Sequence, residues 1–196
     1  MPKITKVGID EVGRGPLAGP VTVCAFAVKS GFDMHFLRGI TDSKKLSRQK
    51  REYWSRKLRN ARREGDVFFA ISSVSAREID RRGIVKAVQV AIRTALRKLD
   101  LNTNQTEIFL DGSLKAPTKF LQQKTIIGGD RKHRLISAAS VLAKVHRDAH
   151  MTRLASRYSV YGFEIHKGYG TRIHRKIIKK HGICKEHRGS FCRNII

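Results

Sequence analysis

Four acidic residues stand out because of where they lie in the sequence. Asp10 and Glu11 are adjacent at the end of an apolar segment and directly precede a glycine-rich turn. Asp111 ends a second predicted strand, and Asp130 ends a third. Acids are scarce here, with 16 Asp and Glu against 41 Lys and Arg, so their placement is informative. Sites in open α/β sheets form at strand ends where loops diverge, so these carboxylates could converge there.

Clustered carboxylates inside a basic surface suit metal-assisted cleavage of a phosphodiester. The hard cations Mg²⁺ and Mn²⁺ prefer oxygen ligands, and one or two carboxylates together with substrate phosphate hold a Mg²⁺ ion. Two such ions activate a water and stabilise the leaving oxygen. The sequence offers both requirements, the acids and the basic surroundings.

Each acid also has an ordinary structural explanation. Asp111-Gly112 is a common turn pair, and Asp130 precedes a predicted helix, where an Asp often caps the chain. Spacing alone does not establish that the four side chains meet.

A long predicted helix, about His133–Tyr158, carries a second pattern. Its apolar stripe consists of Leu135, Ala138, Ala139, Leu142, Val145 and Ala149. A separate polar stripe consists of Ser137, Ser140, Lys144 and Asp148, at steps of three, four and four. The polar stripe is either a solvated face or a face turned to the catalytic cleft. We expect Ser140, Lys144 and Asp148 to support the site, with Lys144 paired to Asp148.

The elements that must position these residues alternate between strands and helices. Strands are predicted at Val7–Asp10, Val21–Val28, Asp66–Val74, Thr106–Asp111 and Lys124–Ile127, and the other helices at about Ser47–Arg63, from Ser75, at Ile84–Leu99 and at Thr171–His181. No repeat, linker or low-complexity segment interrupts them. The pattern predicts one domain over residues 1–196 with a mixed sheet covered by helices, and a basic helical part at about 150–196.

The net charge of +25 predicts a polyanionic partner. Nucleic acid is the commonest such partner, with an anionic membrane as the main rival. Two regions concentrate the charge: residues 44–63 hold ten basic side chains and one acid, and residues 131–196 hold sixteen and three. We expect Lys44 and Lys45 in the first region, and Arg175 and Lys176 in the second, to contact phosphates.

Other signals limit the alternatives. The longest apolar run, Val21–Val28, is too short to span a bilayer, and no signal-peptide core is evident. Three cysteines favour a reduced, cytoplasmic setting over a disulfide scaffold. A zinc site is a weaker hypothesis, based on the spacing of His181, Cys184, His187 and Cys192.

Together, these segments resemble the bacterial ribonuclease HII family. The matching runs are residues 8–21, which include Gly8-Ile9-Asp10-Glu11 and Gly13-Arg14-Gly15-Pro16, then Asp42-Ser43-Lys44-Lys45-Leu46, Asp111-Gly112, Gly129-Asp130, residues 136–148, His166-Lys167-Gly168-Tyr169-Gly170-Thr171 and His187-Arg188-Gly189-Ser190-Phe191. They follow the family's order and span residues 8–191, nearly the whole chain. Val12 departs from the Ala expected there, which we expect function to tolerate.

The resemblance implies a ribonuclease H-like α/β fold with a mixed five-stranded sheet, flanking helices and C-terminal helices. It implies that Asp10, Glu11, Asp111 and Asp130 are catalytic and bind Mn²⁺ or Mg²⁺. It also implies that Gly13, Arg14 and Gly15 contact the backbone around the scissile ribonucleotide. Tyr169 would pack on a sugar.

The implied substrates are RNA–DNA hybrids and duplex DNA containing ribonucleotides. We expect a monomer with no obligate protein partner, no membrane association and no sliding-clamp tail after Phe191.

Two other function classes are open at this stage. A non-catalytic RNA- or ribosome-binding protein fits the charge equally well, but it has no use for Asp10-Glu11 beside a glycine turn. A DNA nuclease of related fold, such as a junction resolvase, would not need a reader of the 2′-hydroxyl, a role that Tyr169 and the Gly-Arg-Gly turn would supply. Cleavage of duplexes with and without one ribonucleotide separates the three.

Overall fold

The computed structural model describes residues 5–195 and is organised around a mixed five-stranded sheet in the order β3-β2-β1-β4-β5. The strands are β1 (Thr5–Val12), β2 (Val21–Val28), β3 (Val67–Val74), β4 (Thr106–Asp111) and β5 (Gln122–Ile126). β1 pairs antiparallel with β2 and parallel with β4. β3 is antiparallel to β2, and β5 is parallel to β4. The predicted mixed sheet of an α/β domain is confirmed.

Helices cover both faces of this sheet. They are α1 (Arg48–Glu64), α2 (Ala76–Arg82), α3 (Ile84–Leu99), α4 (Gly129–Lys132), α5 (Arg134–Arg157), α6 (Phe163–His166), α7 (Arg172–His181) and α8 (Gly189–Cys192). Short 3-10 turns occupy Met34–Leu37, Thr103–Gln105 and Ser159–Tyr161. The predicted cap of α1 is confirmed, because the Ser47 hydroxyl accepts a hydrogen bond from the Lys50 N–H and the helix ends at the left-handed Gly65.

The strand alternation assigns each side chain of β1 and β2 to one of two cores. Val7, Ile9, Val21 and Val23 pack with α3 on one face. Cys24, Phe26 and Val28 pack with α1 and α5 on the other. All eight residues of β2 are buried, as expected for a strand covered on both faces.

The same alternation determines the direction of the Asp10 side chain. Side chains alternate along a strand, so Gly8 and Asp10 point to the α5 face when Val7 and Ile9 point to α3. A Cβ at Gly8 would overlap the backbone of Leu135 and Ile136, so glycine allows α5 to lie directly on β1. Asp10 is thereby placed beneath the polar stripe of α5.

One predicted element is wrong. Asp130 does not end a strand, because β5 ends at Ile126 and Asp130 lies in the first turn of the short helix α4. A turn at Gly128, whose φ is 64°, separates the two elements. The apolar run up to Ile127 suggested a longer strand, but Ile127 is 82% exposed and lies outside the sheet.

The C-terminal part consists of short helices around a small core of its own. Met151, Leu154, Tyr161 and Phe163 form that core with Ala18 from the loop after β1. Whether residues 1–196 fold as one unit stays a prediction. No helix within residues 5–195 is long and apolar enough to cross a membrane.

Candidate active site

Asp10, Glu11 and Asp111 meet where the parallel pairing of β1 with β4 ends. The last registered pair is Ile9 with Leu110, so the next residues along the two strands are Asp10 and Asp111. Burial raises the pKa of Asp10 well above its usual range, and the charges of Glu11 and Asp111 add to the rise. Burial also raises the pKa of Glu11, with Asp111 contributing and Arg14 opposing. The three carboxylates therefore share one electrostatic environment.

Asp130 joins this group from α4. The Asp111 Oδ1 accepts hydrogen bonds from the Gly129 N–H at 2.7 Å and the Asp130 N–H at 3.4 Å, which ties the start of α4 to the end of β4. Burial raises the pKa of Asp130, followed by the charges of Asp42 and Asp111. Asp130 thus lies in the predicted cluster, although on a different element.

Asp42 is a fifth acid at the site that the sequence interpretation did not single out. It is 8% exposed, its Oδ1 accepts the Lys44 N–H at 2.8 Å, and its charge helps to raise the pKa of Asp130. The available signal was its place in the Asp42-Ser43-Lys44-Lys45 run. Its bond to the Lys44 backbone fixes the loop, from which Lys44 and Lys45 project into solvent.

Two serines connect that loop to the carboxylates. The Ser140 hydroxyl on α5 is 2.9 Å from the Ser43 hydroxyl. The Ser140 hydroxyl also acts on Asp10, where it opposes the rise in the pKa of that carboxyl. Ser137 donates to the Asp130 carbonyl at 2.7 Å. This part of the polar stripe faces the site.

The residues present fit a hard divalent cation by the chemistry of their donor atoms. Within residues 5–195, no group of three or more His, Cys, Asp or Glu side chains has the spacing of a ready-made metal site. The Glu11 Oε2 is buried and has no hydrogen-bond partner among residues 5–195, an arrangement that costs free energy unless a cation neutralises it. The donors around it are carboxylate oxygens, which Mg²⁺ and Mn²⁺ prefer.

Because these carboxylates repel one another, we expect bound metal to stabilise the folded chain. A divalent ion that binds only the folded chain should raise the melting temperature. At a free ion concentration of 100 times Kd, the ion adds about 2.7 kcal/mol to the free energy of unfolding. Without metal, Asp130→Asn should raise it by a few degrees, because an amide removes one repelling charge and can donate to Asp42. Calorimetry in EDTA and in Mn²⁺ measures both effects.

The exposed acid Asp66 supplies the control for that experiment. Asp66→Asn should leave the metal-dependent rise intact and should not raise the metal-free melting temperature. If Mn²⁺ and Mg²⁺ leave melting unchanged at concentrations that support activity, a metal site at these carboxylates is ruled out.

The Gly13-Arg14-Gly15 turn lies beside Glu11. The Arg14 guanidinium is 3.4 Å from the Glu11 carboxylate, and Gly13 has a φ of 90° that favours glycine. A Cβ at Gly13 would overlap the Arg147 side chain, whereas a Cβ at Gly15 would meet open space. Gly13 is therefore required by packing, but Gly15 is not, which leaves its surface open to a ligand.

Two fully buried arginines hold this loop from behind, and neither was predicted as a site residue. Arg188 donates to the carbonyls of Gly13, Arg14 and Gly19 at 2.6–3.0 Å. Arg147 donates to those of Ala18, Pro20 and Lys167 at 2.9–3.1 Å. Burial and the nearby charge of Arg147 lower the pKa of Arg188 to about 9, which leaves it charged at neutral pH. These bonds fix the loop's backbone and place two positive charges behind it.

A groove of about 560 Å³ runs beside α5, between α1 and α6. Lys144 and Asp148 line it and pair at 2.9 Å, as predicted. Its walls carry charges of both signs, from Arg48, Arg51 and Lys167 and from Glu52 and Glu164. Tyr169 is 39% exposed, and its ring centre is 5.8 Å from the Lys144 Nζ and 5.7 Å from the Arg147 guanidinium. Lys144 and Asp148 thus lie beside Tyr169 and have no contact with Asp10 among the hydrogen bonds of residues 5–195.

The four residues of the zinc hypothesis do not assemble. Cys184 and His187 are in contact, at 3.2 Å between Sγ and Nδ1. Cys192 is buried in a different cluster, where its Sγ lies 3.9 Å from the Leu17 carbonyl. His187 bonds instead to His174.

Comparison with known proteins gives matches over nearly the whole chain. A family model described as Ribonuclease HII matches residues 7–194. Ribonuclease HII of Shouchella clausii is 45% identical over 185 residues, covering 94% of this chain and 67% of that protein. Ribonuclease HII of Caldicellulosiruptor bescii is 39% identical over 189 residues, covering 96% and 87%. The ribonuclease HII in a complex with PCNA from Archaeoglobus fulgidus superposes with a TM-score of 0.77 at 25% identity, covering 97% and 96% of the two chains.

Proposed function

The chain belongs to the ribonuclease HII family, and from this premise we propose that it hydrolyses the RNA strand of RNA–DNA hybrids and cuts 5′ of ribonucleotides embedded in duplex DNA. Membership makes it a ribonuclease H-type endonuclease and hydrolase. The observation that carries the finer proposal is the convergence of Asp10, Glu11 and Asp111 beside the Gly13-Arg14-Gly15 turn. A carboxylate cluster and a glycine-containing turn that could approach a sugar closely thus lie within a few residues of each other.

Asp10, Glu11, Asp111 and Asp130 would hold two divalent ions, Mn²⁺ or Mg²⁺. When bound, such ions supply an activated water and neutralise charge on the phosphate and the leaving oxygen. The Ser140 hydroxyl favours the ionised form of Asp10 by lowering the pKa of that carboxyl. The Asp111 carboxylate is held by the N–H groups at the start of α4, so one of its oxygens is already fixed.

The cleavage products follow from which bond forms and which bond breaks. Water attacks phosphorus, the bond from phosphorus to the upstream O3′ breaks, and the products are a 3′-hydroxyl and a 5′-phosphate on the ribonucleotide. In the Gly13-Arg14-Gly15 turn, a Cβ at Gly15 would meet open space, so its absence leaves room for the backbone to approach the sugar, where the 2′-hydroxyl distinguishes RNA from DNA. Tyr169 would pack on the next sugar, where deoxyribose fits and an added hydroxyl would crowd the ring.

The test is a cleavage assay on labelled duplexes that contain zero, one or many ribonucleotides, with Mn²⁺ or Mg²⁺. We expect no cut in pure DNA, one cut 5′ of the single ribonucleotide, and several in the hybrid. Binding without cleavage would instead indicate a nucleic-acid-binding protein, and cleavage of pure DNA would indicate a DNA nuclease.

Binding should depend steeply on salt, because phosphate contacts dominate in a chain of charge +25. The log–log slope should be about −0.9 for each phosphate neutralised. Replacing Lys44 and Lys45 by Gln should flatten that slope by roughly one to two units and weaken binding to every duplex about equally. Anisotropy titrations across salt concentrations measure this, and a variant that loses affinity for only one base sequence would contradict it.

The archaeal relative was solved with PCNA. For this chain we propose nucleic acid as the partner and retain the expectation of a monomer without an obligate protein partner.

A further inference from the structure

Tyr169 lies on a tight turn whose backbone is held by buried groups. Lys167 and Gly168 both have left-handed backbones, with φ of 53° and 81°. The Gly168 carbonyl accepts the Leu17 N–H at 2.8 Å, which joins the turn to the loop after β1. The Tyr169 carbonyl points the other way, into the protein, and accepts the Thr171 N–H at 2.8 Å. The same carbonyl is 2.9 Å from the His174 Nδ1.

His174 belongs to a buried group of three imidazoles beneath the turn. His166, His174 and His187 are 8%, 0% and 4% exposed. The rings of His166 and His174 stack with centres 4.1 Å apart. The Nε2 atoms of His174 and His187 are 3.0 Å apart, so they form a hydrogen bond. None of the three touches the carboxylate cluster in the hydrogen bonds of residues 5–195.

The partners of these rings fix where each proton lies. The Cys184 N–H can only donate, so the His187 Nδ1 at 3.0 Å accepts. The His187 proton is then on Nε2 and is donated to the His174 Nε2. The His174 proton is then on Nδ1, where it is donated to the Tyr169 carbonyl. The result is a one-directional chain from Cys184 to Tyr169 in which both rings are neutral.

The neutral state is supported by the surroundings of the two rings. Burial lowers the pKa of His174 and of His187 to about 4. Each ring nitrogen of the pair has a partner of the required kind, so no donor or acceptor on the two rings is left unsatisfied.

We propose that His174, oriented by His187, is a positioning residue that sets the Tyr169 turn for reading the sugar next to the cut. This inference rests on the proposed role of Tyr169. The bond from His174 to the Tyr169 carbonyl fixes the peptide from which the tyrosine ring projects, because a rotated peptide would move the ring off the neighbouring sugar. His187 acts one step further away, by holding the proton of His174 on Nδ1.

Paired amide substitutions test the direction of the chain. The Asn amide nitrogen occupies the place of Nδ1, and the Gln amide that of Nε2. His174→Asn therefore keeps the donor to Tyr169, whereas His174→Gln loses it. At position 187 the pattern reverses: His187→Gln keeps the donor to His174, and His187→Asn loses it.

The readout is the ratio of kcat/KM on a duplex with one ribonucleotide to kcat/KM on a long hybrid. A misplaced Tyr169 should lower this ratio, because only the first substrate presents a deoxyribose to the ring. We expect His174→Gln and His187→Asn to lower it about fivefold, the rate factor for one neutral hydrogen bond. His174→Asn and His187→Gln should stay within twofold of wild type. Melting temperature monitors folding of all four.

The reversal makes the inference falsifiable even if one variant folds poorly, since each position carries its own matched pair. Equal effects of Asn and Gln at both positions would mean that the rings only fill space, and would overturn it. An unchanged ratio in all four variants would also overturn it. If Tyr169→Ala itself leaves the ratio unchanged, the proposed role of Tyr169 fails; if Tyr169→Ala lowers the ratio and His174→Gln does not, only the positioning inference fails.

Discussion

Asp10→Asn should lower kcat/KM by roughly three orders of magnitude, because charge stabilisation by bound metal supplies several kcal/mol and each 1.36 kcal/mol is a tenfold rate factor. The amide has the shape of the carboxylate but lacks its charge, so a cation loses a ligand. Glu11→Gln, Asp111→Asn and Asp130→Asn should act in the same direction. EDTA should abolish wild-type activity, and added Mn²⁺ or Mg²⁺ should restore it.

Folding must be separated from chemistry in these variants. Asp10 lies in an unfavourable cluster, where burial and its neighbours raise its pKa, so Asn should not lower the metal-free melting temperature. Asp66→Asn, at an exposed acid far along the chain, should keep full activity. Wild-type rates in Asp10→Asn, or in EDTA, would exclude the two-metal mechanism.

Hydrolysis by an activated water also requires that no thiol be essential. Cys24 and Cys192 are buried, and burial raises the pKa of each thiol above its usual value. A thiol that stays protonated at neutral pH is a poor nucleophile. Cys24→Ala, Cys184→Ala and Cys192→Ala should therefore keep their catalytic rates.

The sequence was sufficient for the part of the site that strand geometry determines. Asp111 ends β4, and Asp10 and Glu11 follow the last parallel pair of β1 with β4, so the carboxylates come together where that pairing ends. Asp130 was expected at a strand end and is on a helix, because a short apolar run does not show where a strand stops. The error changed the element but not the neighbourhood, since the start of α4 is bonded to Asp111.

The residues that the sequence did not reveal act across long separations. Asp42 enters the site through the loop whose Ser43 bonds, across 97 residues, to Ser140, a residue that was expected to support the site. Arg147 and Arg188 read as two more basic residues in a basic C-terminal region, yet both are fully buried. Their partners are backbone carbonyls rather than acids, and no charge pattern in the sequence predicts such contacts. Only the folded structure distinguishes these two buried arginines from the solvent-exposed ones.

Tyr169→Ala should reduce cleavage at a single embedded ribonucleotide by about 5- to 30-fold, while the metal-dependent rise in melting temperature stays unchanged. An aromatic ring stacked on nucleic acid contributes about 1–2 kcal/mol, which corresponds to that factor. The ring is 39% exposed in a turn between two glycines, so it is available to a sugar and its removal leaves no core cavity. The loss should be smaller on a long hybrid, where the next sugar carries a hydroxyl that crowds the ring.

Tyr169→Phe is the matched control, because it retains the ring and removes only the hydroxyl. It should cut the single-ribonucleotide duplex at close to the wild-type rate and at the same phosphodiester. Rates on both substrates, measured below and above KM, separate weaker binding from slower chemistry. If Tyr169→Ala cuts normally, or if wild type ignores the single ribonucleotide while degrading long hybrids, then Tyr169 does not read the sugar beside the cut, and the selectivity must come from the Gly13-Arg14-Gly15 turn alone.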